Sequence, residues 1–165
     1  MLKVAIILTS TFILSFSAVG CLNPISTPPR IAIEELLSTP DTIFVEGRKL
    51  FLFTSLWRDF QPISPPDGRP LIAIIYIEST DSTQLPASIS ADAIYIVYRG
   101  AVWKSWFSDE PIASDLQKPN RIVRIARNGP KWGPGVFVDV IVLVAYGQND
   151  KKLLRASSQP IERTD

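Results

Sequence analysis

The sequence predicts an all-β protein: an antiparallel β-sandwich of seven to eight strands. Three observations carry this reading. Past the first thirty residues, apolar side chains recur with a period of two rather than 3.6. Fourteen prolines, spaced closely along the chain, leave no room for long helices. Each apolar run is strand-sized and bounded by turn formers such as Pro65-Pro66-Asp67-Gly68, Asn128-Gly129-Pro130 and Gly147-Gln148-Asn149-Asp150. A chain of this length buries about 70% of its unfolded surface, and 46% of its residues are hydrophobic, so the core needs no staple.

Taken in order, the stretch 31–38 (IAIEELLS) tolerates a helix and equally reads as a first strand. The strands are then expected over 49–57, 71–78, 93–98, 101–107, 121–127, 136–146 and 152–157. Arg99-Gly100 is a two-residue loop between two of them, which makes 93–107 a hairpin. Its register sets Tyr98 opposite Ala101 and Ile96 opposite Trp103. Ile94, Ile96, Tyr98 and Trp103 then share the core face, and Tyr95, Lys104 and Trp106 the other. The runs 71–78 and 136–146 are apolar on both faces, as buried central strands are. A plain sandwich covers one face of each sheet. The second face therefore calls for a cover: the N-terminal segment, the 108–120 loop, or a partner. By strand pattern the domain resembles the immunoglobulin and fibronectin type III sandwiches; a jelly roll or small barrel is the alternative.

The first twenty-one residues read differently. Lys3 precedes an apolar run from Val4 to Val19, short of the ~20 residues of a spanning helix. The run ends in Ala18-Val19-Gly20-Cys21, and Cys21 is the only cysteine. This resembles the lipobox of bacterial lipoproteins, with Ala18 standing where that family prefers Leu. The resemblance implies a helical signal peptide over 1–20, cleaved before Cys21, and a diacylglycerol on the Cys21 thiol. It further implies a cell-envelope protein held on the membrane by lipid. In Gram-negative lipoproteins Leu rather than Asp after the cysteine implies the outer membrane, and Leu22 stands there. Residues 21–30 (CLNPISTPPR) are proline-rich and read as the lipidated cysteine and a tether, with the folded domain over 31–165.

Composition narrows the chemistry. There is no histidine, and 17 basic residues balance 16 acidic ones, so no nucleic-acid-binding stripe is expected. No Ser-His-Asp or Cys-His set and no phosphate loop is present, so the protein reads as a non-enzyme. A small two-carboxylate hydrolase is the remaining catalytic option, although no spacing selects the pair. Outward Tyr95, Lys104 and Trp106 suit an aromatic platform for a partner or a sugar, unless Trp106 tucks under the 108–120 loop. Trp132, in a Gly- and Pro-rich loop, either plugs the end of the sandwich or belongs to a binding loop. Asp92, Asp109 and Glu110 gather at the open end of the hairpin, where loop carboxylates would suit Ca²⁺ or simply face water. Asp139 lies inside an apolar strand and calls for an arginine of 121–127, namely Arg121, Arg124 or Arg127. The function expected first is binding or scaffolding of an envelope protein partner. A carbohydrate or small-ligand module is the alternative.

Overall fold

The structure, a computed structural model, describes residues 27–165. The leader 1–20, Cys21 and the start of the tether lie outside the described residues. One short helix, α1 (Ile33–Ser38), precedes eight strands: β1 (Thr42–Val45), β2 (Arg48–Asp59), β3 (Leu71–Ser79), β4 (Ser90–Tyr98), β5 (Ala101–Trp106), β6 (Arg121–Gly129), β7 (Phe137–Tyr146) and β8 (Asp150–Thr164). No helix among the described residues is long and apolar enough to cross a membrane.

The strands form one strongly curled sheet in the order β5-β4-β7-β8-β2-β3-β6, with β1 paired to the start of β2. Its two halves pack face to face. The hinge between them is β8, whose residues 150–160 pair antiparallel with β7 and whose residues 161–164 pair parallel with the end of β2. Ser158, at φ 53, marks the bulge where the strand changes partner. Every other pairing is antiparallel. On the far side a single antiparallel bridge, Ser108 to Ile125, joins the end of the β5 segment to β6. The expected all-β fold is therefore present, with one parallel pair that the sequence pattern did not announce.

Alternation explains the core. Leu50, Leu52 and Leu56 of β2, Leu71, Ala73, Ile75 and Ile77 of β3, and Val138, Val140, Val142 and Val144 of β7 all point into one apolar interior. Ile94 and Ile96 of β4 meet them there, with Tyr98 and Trp103 packed alongside. The hairpin register is as the two-residue loop dictates: Tyr98 opposite Ala101 and Ile96 opposite Trp103. Arg99 and Gly100 both take positive φ, the requirement of that turn.

One end of the interior is closed around a buried cation. Arg58, only 3% exposed, donates Nε to the Arg69 carbonyl at 2.9 Å and Nη1 to the Lys131 and Trp132 carbonyls, each at 3.1 Å. Its Nη2 donates to the Asp67 carbonyl. A guanidinium out of water must fill its donors, and here two loops supply the acceptors. The Arg58 and Arg163 guanidinium groups lie 5.0 and 4.3 Å from the Phe60 ring centroid. That ring covers Gly68, which at φ +73 has no room for a Cβ.

Arg58 joins loop 60–70 to loop 130–136 through four carbonyls at once, beside the Lys131–Asp67 ion pair between the same loops. Arg58→Met should lower stability by about 3 kcal/mol, because buried acceptors are stranded. Arg58→Lys should recover less than half of that loss, since an ammonium cannot match the planar fork. Urea denaturation midpoints check both; two unchanged midpoints would show that the loops hold without the arginine.

Candidate functional site

The curled sheet has two outer faces, and the structure treats them differently. The outer face of the β4–β7 half carries Ala93, Tyr95, Val97, Ile141 and Leu143, all buried. The cover is the N-terminal segment: Ile31, Ile33 and Leu36 lie on this row, and Leu36 is completely buried. Burial of one leucine of this kind contributes about 2 kcal/mol. The helix does not stand by itself, because it has six residues and its N-cap, Ala32, offers no side-chain acceptor. Ser38 and Thr39 hydroxyls close its C-terminus on the Glu35 carbonyl, each at 3.0 Å.

Polar ties hold the same segment, here called the strap. Tyr95 Oη donates to the Pro29 carbonyl at 3.0 Å, and Lys104 Nζ donates to the Pro28 carbonyl at 2.8 Å. Tyr95 and Lys104 stand directly opposite each other on β4 and β5. Burial pushes the Tyr95 phenol above its ordinary value. Arg155 on β8 completes the clamp. It donates to Asp139 Oδ1 at 2.9 Å from Nη2 and 3.2 Å from Nε, and to the Leu37 carbonyl from Nη1.

These contacts correct several expectations. Tyr95, Lys104 and Trp106 do share the outward face, but Tyr95 is fully buried under the strap, Lys104 is half-buried and tied to it, and Trp106 is 37% exposed. Pro28 is buried as well, so the cover on this face includes residues 28–30 alongside 31–38. Asp139 has its arginine, but from β8. Arg121, Arg124 and Arg127 sit on β6, at the opposite end of the strand order from β7's neighbours. Trp132 is half-buried against Tyr98, with ring centroids 5.3 Å apart, and packs on the core at the sandwich end.

The three hairpin-end acids do not converge into an oxygen cage. Asp92 Oδ2 pairs with Lys151 at 2.7 Å, and Glu110 is held in a fork by Arg127, the closest contact being 2.7 Å. Asp109 is exposed and shares a cleft with Asp92 and the basic Arg124. No group of three potential ligand side chains stands together among the described residues.

The second outer face belongs to β1, β2, β3 and β6. Cross-strand rows run Phe51–Glu78–Arg121, Phe53–Tyr76–Val123 and Ser55–Ile74–Ile125, with Trp57 beside Ile72 at the end. Phe44 joins them from β1. Phe44 is 65% and Phe53 55% exposed, and Phe51, Trp57, Ile72 and Ile74 are half-buried. Cover is local: the Arg121 guanidinium lies 5.0 Å from the Tyr76 ring centroid, and Ile112 lines a cleft with Val123 at the β6 edge. Phe53 and Tyr76 meet at 5.5 Å with a tilt of 38°. The two-sided apolar run 71–78 announces the β3 part of this face, and the β2 part is written in 49–57. The alternation that sends Leu50, Leu52 and Leu56 inward sends Phe51, Phe53 and Trp57 out.

Comparison with known proteins finds no matching family model, no matching curated protein and no matching solved structure.

Two outcomes follow. Arg155→Met should cost about 1–2 kcal/mol, between an exposed and a buried ion pair, and should speed tryptic cleavage after Arg30 as the strap loosens. Unchanged cleavage would remove the clamp. The Glu110 carboxyl is held below its ordinary value of 4.5, first by the Arg127 hydrogen bond and then by the Ser108 hydroxyl. Its folded-state value is depressed, so the stability it adds is complete above that ordinary value. It is lost as pH falls through the lowered one. Glu110→Gln should flatten the acid limb of a stability-against-pH curve below pH 4.5 while leaving its neutral limb level.

Proposed function

We propose that this chain is a lipid-anchored protein of the bacterial cell envelope whose β-sandwich binds or scaffolds a protein partner. The lipobox-like Ala18-Val19-Gly20-Cys21 supports the anchor. The observation that carries the binding role is the outer face of β2 and β3, where Phe44 and Phe53 are exposed and Phe51, Trp57, Ile72 and Ile74 half-buried, while the opposite face is covered. Single exposed apolar residues are ordinary, but a continuous aromatic and aliphatic row on a rigid sheet marks a docking surface. Aromatic side chains supply much of the energy of such interfaces.

The same face argues against a sugar as its occupant. A sugar platform needs coplanar exposed rings with polar groups around them. Here the Phe53 and Tyr76 rings are tilted by 38°, Tyr76 is only 8% exposed, and the neighbours are Ile72 and Ile74. Asp59, Asp67, Glu78, Asp92, Glu110 and Asp139 are each engaged by a lysine or arginine, which gives them a structural role in tying strands and loops.

Two measurements test the reading. Cys21→Ser should leave the protein as an unprocessed precursor or release it from the membrane fraction; identical fractionation and mass for variant and wild type would end the anchor assignment. A photo-crosslinking residue in place of Phe53 should give a discrete protein adduct in intact cells. The same residue in place of Ser157, exposed on β8, should not. Ile74→Asp, beside Phe53 on the same face, should abolish the adduct without unfolding the domain. An adduct that survives Ile74→Asp, or no adduct from position 53, would dismiss this face as the binding surface.

A further inference from the structure

The free edge of β6 carries a feature that depends on neither the anchor nor the apolar face. β6 is the last strand in the sheet order, and its main-chain groups point alternately toward β3 and away from it. Two contacts fix the alternation. The Asn120 carbonyl accepts from the Ser79 N–H at 3.3 Å, on the β3 side, and the Ile125 carbonyl accepts from the Ser108 N–H at 2.8 Å, on the free side. Arg121 and Val123 therefore turn their N–H and C=O groups to the free side. The Arg121 N–H closes a turn on the Lys118 carbonyl at 3.0 Å, and the Val123 carbonyl accepts from Arg124 Nη1 at 3.1 Å. The Arg121 carbonyl and the Val123 N–H have no partner among the described residues. The chain does not fill them itself. Past Ser108 a continued ladder would set Glu110 against Val123, but Glu110 turns to Arg127, and Pro111 has no N–H to offer.

These groups open into a cleft of about 580 Å³, the size of a ligand site. Ile112, Lys118 and Pro119 form one wall, and Ile122, Val123 and Arg124 the other. The loop wall is braced: Gln117 Nε2 donates to the Ile112 carbonyl and the Leu85 N–H to the Pro119 carbonyl, each at 2.9 Å. Among the described residues no carboxylate lines the cleft, and neither Lys118 nor Arg124 enters an ion pair. Arg121, at the rim, is neutralised by Glu78. The cleft thus holds two uncompensated cations, one main-chain donor, one main-chain acceptor and an apolar wall.

We propose that this cleft captures the C-terminal residue of an extended peptide as a short parallel strand beside β6. A residue level with Ile122 donates its N–H to the Arg121 carbonyl and aims its own C=O at the Val123 N–H, which is the pairing of a parallel ladder. When that C=O belongs to a terminal carboxylate, Lys118 and Arg124 supply the opposite charge. Side chains level with one another share a face, so the last side chain of the peptide packs beside Ile122, which itself lies on the core. The chemistry recognised is a free carboxylate, the amide N–H before it and an apolar last side chain. A bare anion would leave the Arg121 carbonyl and the Ile122 wall unmatched. An internal peptide segment would leave both cations without a counter-charge.

Titration followed by NMR decides this. Isotope-labelled full-length protein receives a pool of N-acetylated tripeptides ending in Val, Leu or Ile with a free carboxylate, or the same pool as C-terminal amides. The carboxylate pool should shift the Val123 amide resonance to saturation, and the amide pool should bind about ten-fold more weakly. Arg124→Gln combined with Lys118→Gln should weaken the carboxylate pool about ten-fold and bring the two pools together. Val123→Pro removes an N–H that β3 does not use, and should lose the binding while the Ile75 and Ile77 resonances stay in place. If that variant does not fold, the double variant decides. Equal affinity for the two pools, no shift at Val123, or unchanged affinity in the double variant would overturn the site. Acetate that displaces the carboxylate pool at equal concentration would reduce it to a general anion site and overturn the peptide reading.

Discussion

Strands that are apolar on both faces set the terms for the rest of this fold. β7 sends Val138, Val140, Val142 and Val144 into the interior and Ile141 and Leu143 outward, and β4 adds Ala93, Tyr95 and Val97 to the outward row. Left to water, that row would forfeit roughly 25 cal/mol for each Å² of apolar surface. The strap exists to cover it, and the sheet in turn makes the strap. Six residues without a side-chain N-cap do not hold a helix in isolation. Irregular backbone laid on an apolar face must also replace the water it loses. The carbonyls of Pro28, Pro29 and Leu37 take side-chain donors from Lys104, Tyr95 and Arg155, and the Pro40 carbonyl takes the Arg155 backbone N–H. Apolar cover and polar ties come from the same few residues of β4, β5 and β8.

The other half of the sheet meets the same constraint with a different answer. β2 and β3 are as apolar outward as β4 and β7, with Phe51, Phe53, Trp57, Ile72 and Ile74 in the positions that Tyr95, Ile141 and Leu143 occupy across the core. No comparable segment lies on them among the described residues; Arg121 and Ile112 shield only the β6 side. A chain that spends eleven residues, 28–38, covering one outer face and leaves the other open is asymmetric in a way that packing alone does not require. That asymmetry gives the open face its interest.

What the sequence makes legible follows from range. The 93–106 hairpin, its register and the faces of its residues depend on two turn residues and a period of two, and all three stand in the structure. Long-range choices are not written locally. Asp139 asks for an arginine, but whether β6 or β8 supplies it depends on the order of strands in the sheet, which no single strand encodes. β8 reads as ending near residue 157 because Ser158 and Pro160 look like a terminus. Ser158 instead marks a bulge, and Pro160, opposite Phe137, is the last residue before the stretch that pairs with β2. β1 is four residues long and is seen only once Glu46-Gly47 is recognised as a hairpin turn with both φ angles positive. Arg58 is illegible for another reason. Its acceptors are main-chain carbonyls, which every residue type carries, so no partner side chain announces it.

The near-zero net charge acquires a structural meaning once the ion pairs are placed. The bases and acids pair off locally, Arg121 with Glu78, Arg127 with Glu110, Lys151 with Asp92, Arg155 with Asp139, Lys131 with Asp67. Such pairs tie strands and loops but project little field beyond a Debye length of about 8 Å. The open face between Phe44 and Trp57 is flanked by the Glu78–Arg121 pair at one end and by Glu162, opposite Trp57, at the other. An encounter at this face would gain little from electrostatic steering, so recognition would rest on shape and apolar contact. Association of that kind proceeds at ordinary, unsteered rates and depends weakly on salt. On the proposed lipid anchor slow capture would be no handicap, and specificity would reside in how well the apolar patch of the proposed partner fits the Phe53–Tyr76 pair.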